Sequence, residues 1–256
     1  MITPADPEAA QRLAELIRIS SCTVALTGAG ISVPSGIPDF RSPGTGLWEE
    51  VDPMEVAHIE VFHRDPKRFW SYYRPRFGML EHKRPNRAHE VLAELESRGM
   101  LEAVITQNID QLHRKAGSRR IIEVHGTIET SSCVSCSASF ALVEVDDLFD
   151  SEGVARCVRC AGPVKPDVVL FGELLPERAM EEAHALAQRA DLMLCIGSSL
   201  EVHPVASLPA RTLAHGGAVA IVTKGSTPYD TEAAVRMDGD VVEELEALSL
   251  ALAEAS

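Results

Sequence analysis

The sequence predicts an α/β fold, a Rossmann-like parallel sheet with helices on both faces, and three observations predict it. Short apolar runs alternate with amphipathic helical stretches along most of the 256 residues, the pattern of strands covered on both faces by crossover helices. The first run leads into a glycine- and proline-rich segment from Gly28 to Gly46, where a parallel strand would end. The alternation also stops once, near residue 131, and resumes after a four-cysteine segment that ends near 162. That segment reads as a small module inserted between two strands.

Residues 7–19 place Leu13, Leu16 and Ile17 at helical spacing and predict a first helix, followed directly by a strand over Thr23–Leu26. The stretch Gly28–Gly46 is too irregular for a strand and too rich in special residues for an ordinary linker, so it reads as a binding loop. Helices are expected at 64–82 and 86–98, the second opening just after Pro85. Strands follow at Leu101–Thr106 and Ile121–Glu123. Beyond the cysteines, Val168–Phe171 reads as a strand of the resumed sheet. A helix at 176–189, a strand at Leu192–Ile196, a helix at 204–215, a strand at Ala218–Val222 and a last helix at 240–254 complete the pattern. The domain division is then 1–42, 85–130 and 163–256 for the sheet domain, 43–84 for a helical lobe that continues the loop, and 131–162 for the cysteine module.

Hydrophobic residues make up 45% of the chain, enough for a substantial core. A formal charge of −14 counts against nonspecific binding to nucleic acid or an anionic membrane, while it tolerates basic partners such as lysine-bearing tails. No apolar run approaches the roughly 18 residues that span a bilayer, and no charged-then-apolar leader opens the chain. A soluble, cytoplasmic protein is expected, in a compartment where thiols stay reduced.

Cys133, Cys136, Cys157 and Cys160 are spaced C-x2-C-x20-C-x2-C. Four thiolates close a tetrahedral zinc shell and leave no position for water, so the zinc expected here is structural and the chemistry lies elsewhere. Two disulfides in a secreted chain are the alternative. Cys22 and Cys195 adjoin apolar runs and are expected to be small buried hydrophobes.

The chemistry gathers at strand ends. Thr23–Leu26 runs into Thr27-Gly28-Ala29-Gly30-Ile31-Ser32, glycines placed where backbone amides can approach a pyrophosphate. The usual third glycine of a dinucleotide fingerprint is replaced by Val33, and the next glycine is Gly36, which disfavours an ordinary hydride-transferring dehydrogenase. Asp39, Phe40 and Arg41 then add an acid, a ring and a guanidinium able to hold an amide ring, cover its face and pair a phosphate. Gln107, Asn108 and Asp110 close a second strand, and Glu123-Val124-His125-Gly126 closes a third. All three ends are expected on one edge of the sheet, the edge where open α/β sheets bind ligands.

Taken in order, Gly28–Ser32, Gly36–Arg41, Thr106–Asp110, His125-Gly126, the four cysteines, Val169-Leu170-Phe171-Gly172-Glu173 and Gly197-Ser198-Ser199-Leu200 resemble the sirtuins of bacterial type, NAD-dependent protein lysine deacylases. The resemblance runs from about residue 10 to residue 250. It implies a large dinucleotide domain with a zinc module and a helical cofactor-loop lobe, and NAD used as a co-substrate alongside structural zinc. The nicotinamide bond is cleaved, the acyl oxygen of the modified lysine attacks the ribose, and the acyl group leaves as 2′-O-acyl-ADP-ribose.

In this resemblance His125 is the general base, a role that suits a neutral imidazole at pH 7. Asn108 is placed at the ribose hydroxyls or an ordered water, with Gln107 and Asp110 beside the ribose and nicotinamide. Asp39 and Ile109 meet the carboxamide, Phe40 shields the reactive ribose face and Arg41 steadies the cofactor loop. Gly28, Ala29, Gly30, Val33, Gly197, Ser198, Ser199, Thr223, Lys224, Asp240 and Val241 supply the remaining NAD contacts. Val169–Glu173 resembles the strand that takes an acyl-lysine protein substrate as an extended peptide, a β-augmentation.

Two departures from the family pattern stand out. Thr223 occupies a place where many relatives carry an asparagine toward the adenosine ribose, so NAD affinity is expected to differ. On the helix at 64–82, relatives that remove succinyl or malonyl groups carry a tyrosine and an arginine three residues apart. In that register this chain has Trp70 and Tyr73, with a Tyr-x-x-Arg at Tyr73 and Arg76 displaced by one turn. The expectation is therefore a deacetylase. A desuccinylase or demalonylase using Arg76, a mono-ADP-ribosyltransferase, and a noncatalytic zinc-ribbon interaction protein are the alternatives.

Overall fold

The computed structural model describes residues 6–39 and 52–254. Its strands are β1 (Thr23–Thr27), β2 (Ala103–Thr106), β3 (Ile121–Glu123), β4 (Gly126–Cys133), β5 (Ser139–Ala141), β6 (Val164–Val168), β7 (Leu192–Ile196), β8 (Ala218–Val222) and β9 (Val235–Met237). Its helices are α1 (Pro7–Ile19), α2 (Pro53–Val56), α3 (Ile59–Arg64), α4 (Pro66–Glu81), α5 (Arg87–Ser97), α6 (Leu112–Ala116), α7 (Leu142–Val145), α8 (Glu177–Arg189), α9 (Leu208–Ala214) and α10 (Val241–Ala253). The chain forms two compact units, the first from residues 1–39, 84–124 and 177–256 and the second from 40–83 and 125–176.

The first unit holds a six-stranded sheet in the order β3-β2-β1-β7-β8-β9, parallel at every junction. This is the doubly wound order in which strand succession reverses at β1, the arrangement of dinucleotide-binding domains. β1, β2 and β7 are buried along their whole length, which explains their continuous apolar sequences. α1 is set by Asp6, whose carboxylate accepts from the Glu8 and Ala9 amides, and by Pro7 in its first turn. Its apolar stripe, Ala10, Leu13, Ala14 and Ile17, joins one core cluster with α5, the strands and α10. Cys22 and Cys195 are buried in this unit, as their surroundings in the sequence suggested.

The second unit contains a three-stranded antiparallel sheet ordered β5-β4-β6 and the helices α2, α3, α4 and α7. α4 carries an aromatic stack in which Phe69, Tyr73 and Phe77 succeed one another at ring distances of 4.6 and 5.3 Å. Spacing of four residues puts all three on one face.

The strand expected at Val168–Phe171 is corrected here. The strand is β6, Val164–Val168, and it pairs with β4 in the antiparallel sheet, not with the parallel one. The apolar run Val168–Phe171 follows it, with an isolated bridge from Phe171 to His58. The helix expected at 64–82 is α4, Pro66–Glu81, capped by Asp65 through the Arg68 amide, and a separate helix, α3, ends just before it at Arg64.

Candidate active site

At the carboxyl edge of the first unit's sheet, β1 and β2 end at Thr27 and Thr106 in parallel register, and β3 ends beside them at Glu123. On the other side of β1, β7 ends at Ile196. The residues that follow each strand therefore share one edge at the point where strand order reverses, the place where open α/β sheets take ligands.

The loop after β1 and the loop after β7 are locked together there. The Gly28 amide donates to Ile196 O at 3.1 Å and the Gly30 amide to Gly197 O at 2.8 Å. A methyl group on Gly30 would lie 2.8 Å from Gly197 Cα, and one on Gly197, where φ is +61°, would lie 2.2 Å from the Ile31 nitrogen. Glycine is required because two backbones touch. The amides of Gly28 and Gly30 are thus engaged within the protein. Ala29 is half-buried and Val33 is exposed.

Around this junction lies a buried polar cluster. Asn108 donates from Nδ2 to Gly28 O at 3.0 Å and to Ser32 Oγ at 3.2 Å. Ser32 in turn donates to Asp110 Oδ2 at 2.6 Å, while Asp110 Oδ1 accepts from the Leu112 amide at 2.9 Å. Burial raises the Asp110 carboxyl above its ordinary value, opposed by the Ser32 hydroxyl and the Leu112 amide. Gln107 donates to Ser198 Oγ at 3.0 Å, tying the end of β2 to the loop after β7. Ile109 and Asp39 are half-buried, and Ser199 is exposed beside the buried Gly197 and Ser198.

Beneath the cluster sit two histidines to which the sequence reading gave no role. His89 on α5 approaches Ser32 Oγ at 3.5 Å through Nε2 and Asn86 Oδ1 at 3.1 Å through Nδ1. His113 on α6 meets Thr27 Oγ1 at 2.9 Å, and the two rings lie 4.9 Å apart. Burial pulls His89 down to about 4, and burial together with the neighbouring His89 pulls His113 down to about 3, so both are neutral. Ser32, at the end of the Gly28–Ser32 motif, joins the cluster through its hydroxyl, a role its place in the sequence does not announce. The missed signal was a histidine at an apolar position of an amphipathic helix, flanked by Ala88, Val91 and Leu92.

Farther along the same edge, Thr223 is buried after β8 and its amide donates to Met237 O at 3.1 Å. Lys224 pairs with Asp240 at 3.0 Å, and Asp240 also caps α10 through the Val242 amide. Val241 is buried at the start of that helix. Phe40 and Arg41 lie outside the described residues.

In the second unit His125 is half-buried and its carbonyl accepts from the Val169 amide at 2.9 Å. Gly126 opens β4 opposite Val168. The segment Val169–Glu173 is held on both sides: the Phe171 amide donates to Ala57 O at 2.9 Å and Phe171 O accepts from Ile59. The Leu170 amide binds Glu173 Oε2 at 2.8 Å and the Glu173 amide returns to Leu170 O at 3.0 Å. With Gly172 at φ +87°, Leu170–Glu173 is a tight turn of the kind that needs glycine in its third position. The turn presents Gly172, an exposed Phe171 and a Leu174 that is 94% exposed.

Trp70 is buried and its indole N–H donates to Val164 O at 3.1 Å. Tyr73 is stacked between Phe69 and Phe77, and burial, with Tyr72 beside it, raises its phenol. Arg76 lies over the Tyr72 ring at 3.5 Å and donates to Tyr72 O at 2.6 Å.

The four cysteines come together at one end of the antiparallel sheet. Their Sγ atoms all lie within 4.8 Å of one another, with Cys133 to Cys160 at 3.5 Å and Cys136 to Cys157 at 3.6 Å. All four thiols are free. A tetrahedron of Zn–S bonds near 2.3 Å has sulfur edges of about 3.8 Å, so the set fits zinc. The amides of Ser135 and Arg159 donate to Cys133 and Cys157 Sγ, each at 3.4 Å, and orient those sulfurs. Zinc held by these residues would supply folding energy and no open position for catalysis.

Comparison with known proteins places this geometry among close relatives. Residues 28–204 match the Sir2 family model. An NAD-dependent protein deacetylase of Thermotoga maritima is 45% identical, over 90% of this chain and 92% of its own length. One of Sulfolobus acidocaldarius is 47% identical over 87% of each chain. Among solved structures, a Sir2 with a p53 peptide and NAD+ superposes with a TM-score of 0.86 at 41% identity, over 95% of this chain and 98% of the other. A Sir2 with deacetylated p53 peptide and 3′-O-acetyl ADP ribose gives 0.89 at 41% identity, over 94% and 97%.

Proposed function

The chain belongs to the Sir2 family, and from that premise we propose that it is an NAD-dependent protein lysine deacetylase. It transfers the acetyl group of an acetyl-lysine side chain to ADP-ribose, releasing nicotinamide and 2′-O-acetyl-ADP-ribose. The observation that carries the reading is the Asn108–Ser32–Asp110 cluster at the strand-reversal point of a doubly wound sheet. NAD supplies the electrophilic ribose carbon. Asn108, fixed by Gly28 O and Ser32, offers its amide carbonyl oxygen to a ribose hydroxyl or a water. Gln107, Asp110, Gly197, Ser198, Thr223, Lys224, Asp240 and Val241 line the cofactor's path along the carboxyl edge. His125 takes the proton of the ribose hydroxyl, the task of a general base whose ordinary pKa lies near neutrality.

The substrate is an acyl-lysine protein bound as an extended peptide at the Gly172 turn. In that segment the Val169, Leu170, Phe171 and Glu173 amides are already donating, so pairing with a peptide falls to Gly172 and to carbonyls. Acetyl is favoured as the acyl group because Trp70 is spent on Val164 and Arg76 on Tyr72. A distal carboxylate would then enter without a cation, at a cost of several kcal/mol. A second reading, removal of succinyl or malonyl groups, draws on one observation: Arg76 lowers the Tyr73 phenol against the burial that raises it, so the two groups are electrostatic neighbours on α4. No direct nucleic-acid or membrane partner belongs to either reading, given the charge of −14. A cytoplasmic location is proposed with them, as suits four thiols that must stay reduced.

The test is nicotinamide release and peptide deacylation measured together, on matched acetyl- and succinyl-lysine peptides. One nicotinamide per lysine freed, with acetyl preferred, is expected. Nicotinamide release without a freed lysine would replace the reading by ADP-ribosyl transfer. A succinyl preference abolished in Arg76→Ala would establish the second reading.

A further inference from the structure

Lys165 stands outside every residue set discussed so far, yet three of its neighbours belong to the peptide segment or lead into it. Its ammonium donates to Pro166 O at 2.9 Å and to Val168 O at 2.7 Å, and it meets Glu173 Oε2 at 3.0 Å. An ammonium has three N–H donors and no acceptor, so these contacts use all of them. The side chains of Lys165 and Glu173 are only 12% and 25% exposed, so the pair is screened less than a surface ion pair. The same Glu173 oxygen accepts from the Leu170 amide, and Val168 O is the carbonyl just before the residue whose amide binds His125 O.

We propose that Lys165 is a positioning residue for substrate recognition: its ammonium clamps the root of the segment at Val168 and the tip at Glu173, and so fixes the turn that offers Gly172 to an extended acyl-lysine peptide. The inference rests on the deacylase reading and deepens it. Without the ammonium, Glu173 keeps a partly buried charge with no counter-ion and is drawn toward water, and the Leu170 amide loses its acceptor with it. The turn then opens at the place where the peptide would pair. The ammonium of Lys165 makes its three contacts with Pro166, Val168 and Glu173 and none with Asn108, Ser32 or Asp110, so cofactor affinity is expected to stay as it was.

The experiment is steady-state kinetics of the full-length zinc-loaded enzyme with an acetyl-lysine peptide and NAD, for wild type, Lys165→Met and Lys165→Arg. Lys165→Met is expected to raise the KM for peptide about tenfold or more, the loss of one charge-assisted contact, with the KM for NAD and the zinc content unchanged. Lys165→Arg keeps the charge, but a planar guanidinium cannot direct three donors around a cone. It should give a smaller rise in the same constant and carries the test alone if Lys165→Met does not fold. A peptide KM within twofold of wild type in a folded variant would overturn the inference, as would a parallel rise in both KM values. Failure of the wild type to free lysine would sink the deacylase reading and this inference together.

Discussion

Ser32 donates to Asp110 across 2.6 Å although the two residues are 78 positions apart in the chain. One leaves the end of β1 and the other follows the end of β2. Their contact, with Asn108 on the same hydroxyl, turns two strand ends into one polar surface. Asp110→Asn keeps the shape but removes the charge and one acceptor. We expect NAD-dependent turnover to fall by about 10²-fold, with a far-UV spectrum like that of wild type.

His125→Ala should leave the fold and NAD affinity largely intact, because the imidazole is only half-buried and the backbone carbonyl that accepts from the Val169 amide is kept. Loss of a general base costs on the order of 10²–10⁴-fold in rate. Deacetylation of an acetyl-lysine peptide, read alongside NAD titration, checks both halves; activity within a few-fold of wild type would remove His125 from the mechanism.

Gly197→Ala is expected to damage cofactor binding and stability together. The new methyl group would sit 2.2 Å from the Ile31 nitrogen on a backbone at φ +61°, and the left-handed conformation alone costs about 1–2 kcal/mol. Urea unfolding should shift to a lower midpoint, and NAD titration should show weaker binding.

The buried pair His89 and His113 makes stability depend on acid. Both are held neutral, near 4 and 3 against an ordinary value of 6.5, so below pH 6.5 the unfolded chain binds protons that the folded chain refuses. Their contribution is whole above pH 6.5 and is lost as the pH falls toward 4. A shift the size of that at His89 corresponds to about 3 kcal/mol. Thermal melts from pH 7.5 to 4.5 should show this decline, and His89→Asn should reduce it, leaving the share of His113, while lowering the melting temperature at pH 7.5.

Cys133→Ser should release the metal and loosen the antiparallel sheet, since one of four thiolates is gone and metal binding is folding energy. Elemental analysis checks it: wild type with one zinc per chain and the variant with none is the expected result, and wild type with no metal and paired disulfides would refute the zinc site.

The sequence announced what was continuous and hid what was short or interrupted. β1, β7 and β8 were legible because a strand buried on both faces is an unbroken apolar run. β9 is three residues with Arg236 at its centre, and β6 contains Pro166 flanked by Lys165 and Asp167, so neither looked like a strand. The run Val168–Phe171 reads as part of the parallel sheet because local pattern cannot say which sheet a strand joins. The candidate site was legible wherever a strand end carried unusual residues, as at Asn108, Asp110 and Gly197. It was not legible at His89, which fills an apolar position and meets Ser32 only in three dimensions. The close approach of Gly28 and Gly30 to the backbone of Gly197 was not legible either, because it joins loops far apart in the chain.

The ladder between β4 and β6 has Cys133 opposite Val164 at one end and Gly126 opposite Val168 at the other. The two strands are joined by a connection of about 30 residues, whose closure alone costs about 3 kcal/mol of chain entropy. A zinc ion gripping Cys133 and Cys136 together with Cys157 and Cys160 would draw the ends of that connection together before any strand pair forms. Alignment of the ladder would then start at the metal and run toward Gly126, so that the backbone beside His125 takes its place last. A slow refolding step that quickens with added zinc, and that returns catalytic competence only after sheet structure has appeared, is how that order of events would show itself in time.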